Sequence, residues 1–233
     1  MIRKGLIVVA ALAFAAGLVR HLPLDWVAGG VVEAADPDAV AVGTVWSGAL
    51  AHVTGLPPIE TDLQGREVRL SATGATRLDG FVSADGARDV VLSLPVASLA
   101  RFDGRLSGLA GDVRLQVDTL EVEDGECAAA SGLAATDVLA RNGARWGGWS
   151  GPQLSGPITC EGGAVVVDMA GSQSAGGATD AANARFTFRL DGPYTVAFDV
   201  TSARPEAAAV LPLFGLEPQG GGRFALSDAG SWR

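Results

Sequence analysis

Few side chains in this chain could carry acid–base chemistry near neutral pH, because it has only two histidines, His21 and His52. A Ser-His-Asp arrangement would have to use His52, since His21 lies beside a long apolar segment. The sequence also lacks the Gly-x-Ser-x-Gly turn that presents a nucleophilic serine in many hydrolases. The sequence therefore predicts no catalytic residues and favours a protein that is not an enzyme.

Metal and cofactor sites are not predicted either. Two histidines and two widely separated cysteines do not have the paired spacing of a zinc site. The carboxylates of Glu121, Glu123 and Asp124 do not match a calcium-binding loop and are better explained as solvated turn residues. Gly220–Gly222 leads into a predicted strand, whereas a phosphate cradle leads into a helix. We expect no metal ion and no cofactor.

The two cysteines, Cys127 and Cys160, are the next candidates for chemistry. If the body of the protein lies outside the cytoplasm, an even number of cysteines favours one disulfide. Closing a loop of about 30 residues would stabilise the fold by about 3–4 kcal/mol. In a cytosolic protein the same residues would be buried, inert thiols, so the compartment decides between the two interpretations.

The N-terminus indicates that compartment. A basic start, Arg3-Lys4, precedes the apolar run Gly5–Val19. Fifteen residues of helix span about 22 Å, which is shorter than the roughly 30 Å hydrocarbon core, although the run can extend past Arg20 if that side chain reaches the interface. The small residues of Ala13-Phe14-Ala15 resemble a signal-peptide cleavage site. We favour an uncleaved signal-anchor, and under both interpretations the remainder is exported.

Composition favours a chain of many short strands. Of the 233 residues, 32 are glycine and 48% are hydrophobic, which suits frequent turns between apolar segments better than long helices. The net charge is −9, and an acidic chain repels phosphate backbones. Nucleic acid is therefore not an expected partner.

Two tryptophan segments stand out as structural or docking elements. Trp46 lies in Gly43–Gly48, where β-branched neighbours and glycines suit a strand that buries one ring and then bends. Trp149-Ser150-Gly151 repeats this pattern in the second half of the chain. We expect both tryptophans to be buried joints at which each half of a sheet begins, and the alternative is an exposed docking residue.

Alternating polar and apolar residues predict the strands that must position these groups. The strongest pattern is Val113–Val122, and a hairpin is predicted around Asp191–Pro193. Two short helices are predicted at Leu94–Phe102 and Pro205–Phe214. Turns are expected at the Asp-Gly pairs and a small-residue loop at Gly171–Ala181, whereas Ala128–Ala140 is ambiguous between helix and strand.

These elements predict a mainly β fold and two regions. Residues 1–27 form the basic start and the membrane signal-anchor, and residues 28–233 form an exported β-rich domain. Similar patterns in 40–123 and 146–232 suggest two pseudo-repeats, which would extend one sheet by repetition.

The order of several segments resembles type II secretion system protein N, an inner-membrane component of the general secretion pathway. The resemblance is carried by the N-terminal anchor running into Leu22–Trp26, then by Gly43–Gly48, Cys127, Trp149–Gly156, Cys160 and Tyr194. It spans nearly the whole chain, and its stretch between Gly74 and Gly86 is shorter than the family pattern.

This resemblance implies a single-pass protein of the inner membrane with its C-terminal domain in the periplasm. It also implies a non-enzymatic role in exporting folded proteins across the outer membrane, with pseudopilus or assembly-platform components as partners. The family looks akin to AsmA-like proteins, which implies a long, curved, mostly antiparallel sheet that forms an open groove; a β-sandwich is the alternative. That kinship supplies an alternative function, a periplasmic carrier or chaperone that binds lipid or another apolar ligand.

Overall fold

The computed structural model describes residues 40–44, 46–51, 57–99 and 108–231, and within them the chain forms one antiparallel sheet of fourteen strands. Successive strands are neighbours throughout, except that the last two exchange places, giving the order β1 to β12, then β14 and β13. The strands are β1 Val40–Gly43, β2 Ser47–Ala51, β3 Ile59–Gln64, β4 Glu67–Ala72, β5 Arg77–Ser83, β6 Gly86–Pro95, β7 Asp112–Glu123, β8 Glu126–Thr136, β9 Leu154–Glu161, β10 Ala164–Ala175, β11 Ala178–Phe188, β12 Pro193–Thr201, β13 Glu217–Gly220 and β14 Arg223–Ser231.

Alternation of side chains divides the sheet into an apolar face and a polar face. In β7, Val113, Leu115 and Val117 are at least partly buried, while Arg114 and Gln116 between them are exposed. Antiparallel partners share a face, so the apolar residues of one strand align with those of the next. The predicted alternation is therefore confirmed in a single open sheet, and within the described ranges no second sheet packs against it as a sandwich requires.

Two α-helices and two 3-10 turns lie between strands. Helix α1 is Val138–Gly147 and helix α2 is Pro205–Val210; the 3-10 turns are Val96–Leu99 and Leu211–Phe214. The predicted helix at 205–214 is thus confirmed as α2 and the turn after it. The first predicted helix is reduced to its 3-10 turn, and its residues 100–102 lie outside the described residues.

The helices define two ends of the sheet. Neighbouring strands are antiparallel from β1 to β12. Each odd-numbered strand in this series therefore begins at one end of the sheet, and each even-numbered strand ends there. This end carries α1, α2 and both 3-10 turns, and we call it the helical end. The opposite end, where short turns such as Asp124-Gly125 join the strands, is the turn end. Strand β1 begins at the helical end.

Two local predictions differ from the structure, and one segment that the sequence leaves ambiguous is resolved by it. Asp79-Gly80 is predicted as a turn but lies inside β5, where a side chain at position 80 would come within 2.7 Å of the Val90 backbone. The predicted loop Gly171–Ala181 forms the ends of β10 and β11, which are joined at Gly176-Gly177. The ambiguous Ala128–Ala140 segment divides into the end of β8 and the start of α1. In each case contacts between residues distant in sequence determine the secondary structure, because small residues are compatible with loop, strand and helix.

The predicted N-terminal membrane helix lies outside the described residues. Within those residues, no helix is both long and apolar enough to cross a membrane.

Candidate functional site

The cysteine pair lies at the junction of the two halves of the sheet. Cys127 of β8 and Cys160 of β9 form a disulfide with their Cα atoms 5.7 Å apart. Strands β8 and β9 are paired over only four residues, Leu133–Thr136, near the helical end. The disulfide joins the same two strands toward the turn end, where Cys127 N–H also donates to Gly163 O at 3.0 Å. It therefore holds the two strands together where their ladder has ended.

Trp149 is fully buried under α1, at 0% exposure. Its indole Nε1–H donates to Asp180 Oδ2 at 2.9 Å. The ring needs two glycines beside it, since a side chain at Gly151 would come within 2.8 Å of the ring and one at Gly143 within 2.3 Å of the Trp149 carbonyl oxygen. Trp149 therefore has the buried, structural position that we expect from the sequence, and it packs in the core at the helical end.

Asp180 is the centre of a buried polar network that sequence reasoning missed. Besides Trp149, its carboxylate accepts a hydrogen bond from Ser202 Oγ at 2.6 Å and pairs with Arg204 Nε at 3.4 Å. Asp180 itself is 0% exposed. A buried carboxylate is costly unless it is paired and hydrogen-bonded, and here both oxygens are occupied. The network ties the loop after α1, strand β11 and the start of α2 to one point.

Asn142 of α1 is a second buried polar side chain, and its hydrogen bonds hold α1 against the sheet. Its side chain is fully buried, accepts from Ala110 N–H at 2.8 Å and donates to Ala110 O at 2.6 Å and to Val138 O at 2.7 Å. Asp137, just before the helix, accepts from Asp112 N–H at 2.8 Å. These bonds satisfy backbone groups at the entrance to β7, so α1 is fastened to the sheet by directed contacts.

Asp137 also pairs with Arg141 one helical turn later, at 2.6 Å. Burial raises the pKa of Asp137, but the hydrogen bonds from Arg141 and from Asp112 N–H outweigh this and leave the pKa below its usual value. The carboxylate is therefore charged at neutral pH and assists in holding the start of α1.

Trp46 does not occupy the buried joint that its sequence predicts. It is 41% exposed and lies at the turn end between β1 and β2, whereas Trp149 lies at the helical end. The prediction of a core ring at Trp46 is wrong, because no helix covers the sheet beside it within the described residues. The two Trp-Ser-Gly segments are not equivalent positions. The division of the chain into two repeats stays a prediction.

Tyr194 is half-buried at the turn end and packs within the sheet. It pairs with Phe188 of β11 and Gly230 of β14. A side chain at Gly230 would come within 2.7 Å of the Tyr194 hydroxyl, so the tyrosine ring lies over that glycine. This arrangement is structural packing within the last three long strands.

The apolar face differs between the two halves of the sheet. From β8 to β14 it is covered at the helical end by α1, α2 and the turn after α2. Together these close one core of fifteen buried residues, Ala134, Leu139, Trp149, Leu154, Ile158, Val167, Met169, Ala182, Ala184, Val200, Ala207, Val210, Leu211, Leu216 and Phe224. From β3 to β6 no described helix covers the same face. Its apolar side chains there are mostly half-buried, namely Leu63, Val68, Leu70, Leu78, Val82, Val90 and Leu92.

The polar face carries pairs of arginine and carboxylate, both within one strand and between strands. Arg88 contacts Glu67 at 2.6 Å and Asp89 at 2.7 Å, and Arg69 contacts Asp79 at 3.0 Å. Arg88 also lies 4.3 Å from the centre of the Phe81 ring. The hydrogen bond from Arg88 holds the pKa of Glu67 below its usual value. Such exposed pairs contribute little to the stability of the fold.

Metal-binding clusters are absent from the described ranges. No group of three or more histidine, cysteine or carboxylate side chains is placed there to hold a metal ion. Both histidines lie outside these ranges. The candidate features that the described residues do offer are surfaces: the apolar face, which helices cover only in part, and the two ends of the sheet.

Asp180 and Asn142 left only weak signals in the sequence. Asp180 lies in a small-residue segment for which the sequence predicts a loop. Asn142 lies in a helix whose start falls in the alanine-rich segment, where the sequence does not distinguish helix from strand. Their partners are about 30 residues distant in the chain, at separations of 31 and 32. A polar residue among small ones does not reveal such a partner until the fold is known.

Comparison with known proteins identifies the family. Residues 38–227 match the family described as type II secretion system (T2SS), protein N, a range that runs from just before β1 into β14. No match to a curated protein or to a solved structure is found. The matched range is well over half of the chain, so the chain belongs to the type II secretion system protein N family.

Proposed function

We propose that this member of the protein N family is a non-enzymatic part of the type II secretion machinery. In this proposal its N-terminal segment anchors it in the inner membrane. Its β domain then lies in the periplasm and assists the export of folded proteins across the outer membrane. The observation that carries the proposal is the family match over residues 38–227, which spans nearly all of the sheet.

The described structure is consistent with an assembly role. Disulfides persist in oxidising compartments such as the periplasm, and this chain contains the Cys127–Cys160 disulfide. The described residues hold no cluster of acid–base or metal-ligating groups, while the sheet offers large surfaces for contact. A protein of this kind acts by holding other components in place.

A deletion strain tests the role directly. We expect exoproteins to accumulate in the periplasm when the gene is removed and to be secreted again when the wild-type chain is restored. Normal secretion in the deletion strain would refute the proposal. The anchor is tested separately by N-terminal sequencing of the membrane-bound protein, which should begin at or next to Met1.

The apolar face from β3 to β6, on which no described helix lies, favours a second candidate function, the binding of lipid or another apolar ligand. A row of half-buried leucines and valines is an unusual surface for a protein in water unless something covers it. Leu70 of β4 lies within this row, with Thr61 and Gly80 as its partners on the neighbouring strands.

Extraction of the purified chain and mass spectrometry of bound lipid tests this candidate. We expect Leu70→Asp to remove co-purifying lipid, because an acyl chain on this face would bury the new carboxylate without a partner. Arg69→Asp is the matched control, since Arg69 projects from the polar face of the same strand. Absence of lipid from the wild-type chain, or equal loss in both variants, would exclude the candidate.

A further inference from the structure

The most exposed large hydrophobic side chain described lies at the helical end of the sheet, whereas the exposed rings of Trp46 and Phe188 lie at the turn end. Leu213, in the 3-10 turn after α2, is 64% exposed, the highest value among the large hydrophobic residues described as exposed. Pro212 and Ala209 beside it are also exposed. The ring of Phe214 lies 5.2 Å from that of Trp146 at the end of α1, and both rings are half-buried. An exposed leucine therefore projects from this end, next in the chain to one ring of a half-buried aromatic pair.

Charges on the two helices at this end nearly balance. Arg141 of α1 is paired with Asp137, and Arg204 before α2 is paired with Asp180. Each helix then carries one further exposed charge, Arg145 on α1 and Glu206 on α2. The helical surface around Leu213 is accordingly close to neutral.

The turn end of the sheet is acidic by comparison. Four exposed carboxylates, Asp85, Glu121, Glu123 and Asp124, gather at the turns between β5 and β8. None of the four has an ion-pair partner among the described residues. A bilayer that contains anionic lipid repels this end more than the other.

Chain topology brings the N-terminal segment to the neutral, apolar end. Strand β1 starts at the helical end, so residues 1–39, which include the apolar run Gly5–Val19, join the sheet there. Residues 20–39 separate the run from β1, and extended they could reach about 70 Å. The linker alone does not fix the orientation of the sheet, so the surface of each end decides it.

We propose that the helical end is a membrane-contact surface, in which Leu213 enters the interfacial layer of an anionic bilayer. The nearly neutral helices let this end approach anionic lipid, and an exposed leucine gains by leaving water. The acidic turn end then projects away from the bilayer toward other components. This inference rests on the membrane anchoring proposed above, and it adds the orientation of the sheet.

Lipid quenching of single fluorescent labels tests the orientation in the full chain. Because Cys127 and Cys160 form a disulfide, an introduced cysteine is the one free thiol. We would label Leu213→Cys at the helical end and, as a control, Glu123→Cys at the turn end. Each chain is reconstituted into vesicles of phosphatidylethanolamine and phosphatidylglycerol that contain brominated acyl chains.

We expect loss of about half or more of the fluorescence at position 213 and little change at position 123, because interfacial residues lie within about 10 Å of the acyl chains. A third label at Leu133→Cys serves as a matched control. Leu133 is also a highly exposed leucine, at 59%, but it lies on strand β8 and not on the helical surface. Its quenching should be clearly weaker than at position 213.

Flotation of the same vesicles separates the two possible failures. If the labelled chains do not float with the vesicles, the anchoring fails and the orientation fails with it. If they float but the label at position 213 is quenched no more than the one at 123, the anchoring stands and the orientation is overturned. Protection of position 213 by a co-purified protein, without lipid quenching, would also overturn the membrane contact in favour of a protein interface.

Discussion

The two halves of the sheet bury the same kind of face in different ways. From β8 to β14, helices α1 and α2 close the apolar face into a core around Trp149 and Leu154, which are 0% and 3% exposed. From β3 to β6 the face has a similar row of leucines and valines, but no described helix lies on it, and Leu70 in this row is half-buried. The sheet is one continuous ladder, so strand pairing does not distinguish the halves.

What distinguishes them is directed polar contact. Asp180 and Asn142, both fully buried, fix the helices of the second half through hydrogen bonds that leave no buried side-chain polar atom unsatisfied in the described residues. Such contacts require one geometry, which gives that half a unique packed core. Within the described residues, strands β3 to β6 carry no fully buried Asp or Asn side chain on their apolar face.

The largest expected effect compares the two tryptophans. Trp149→Ala should lower the free energy of unfolding by about 3–5 kcal/mol, because it empties a core position and leaves Asp180 without a hydrogen-bond donor. Trp46→Ala, at an exposed site, should cost less than about 1 kcal/mol. Urea unfolding of the full chain followed by far-ultraviolet circular dichroism measures both. Equal costs would remove the contrast between the halves.

The second prediction concerns the junction between them. Replacing both Cys127 and Cys160 by serine should lower the free energy of unfolding by about 3–4 kcal/mol, given their separation of 33 residues. The disulfide holds β8 to β9 beyond their short ladder, so its loss should let the halves separate more readily. Hydrogen exchange of β8 and β9 amides measures this, and unchanged exchange toward the turn end would show that the strands are held without it.

The third prediction compares one leucine from each half. Leu154→Ala should cost about 2–5 kcal/mol, and Leu70→Ala should cost about 1–2 kcal/mol less, since Leu70 loses only part of a buried environment. The same urea titration measures both, in the absence of lipid. If the two costs are equal, the first half is covered as fully as the second.

The smallest expected effect depends on pH. The folded pKa of Asp137 is lowered, so its stabilising contribution is present above the pKa of the unfolded carboxyl, about 3.9, and disappears as the pH falls through the folded pKa. Asp137→Asn should therefore destabilise the chain at pH 7 and approach the wild type under strongly acidic conditions. Thermal unfolding across this pH range measures the difference; a difference that grows on acidification would contradict the prediction.

Much of the fold could be predicted from local pattern, and the candidate site could be predicted only in part. The strand Val113–Val122 lies within β7, and the helix at 205–214 is present as α2 and its following turn. Cys127 and Cys160 form the disulfide that their even number favours if the chain is exported. Trp46 was mistaken for a core ring, since its sequence neighbours match those of Trp149 and only covering helices distinguish the two.

The sequence by itself determined the class of structure, the absence of familiar catalytic motifs and the family resemblance. Alternation with period two, frequent glycine turns and residue types act over short distances, and these are readable along the chain. The tertiary structure decided which part of the apolar face is covered and which end of the sheet carries the helices. It also decided that Asp180 is buried. Those properties depend on contacts between residues far apart in the chain. The local conformational preference at each position is small, so the packing of the whole sheet determines the outcome.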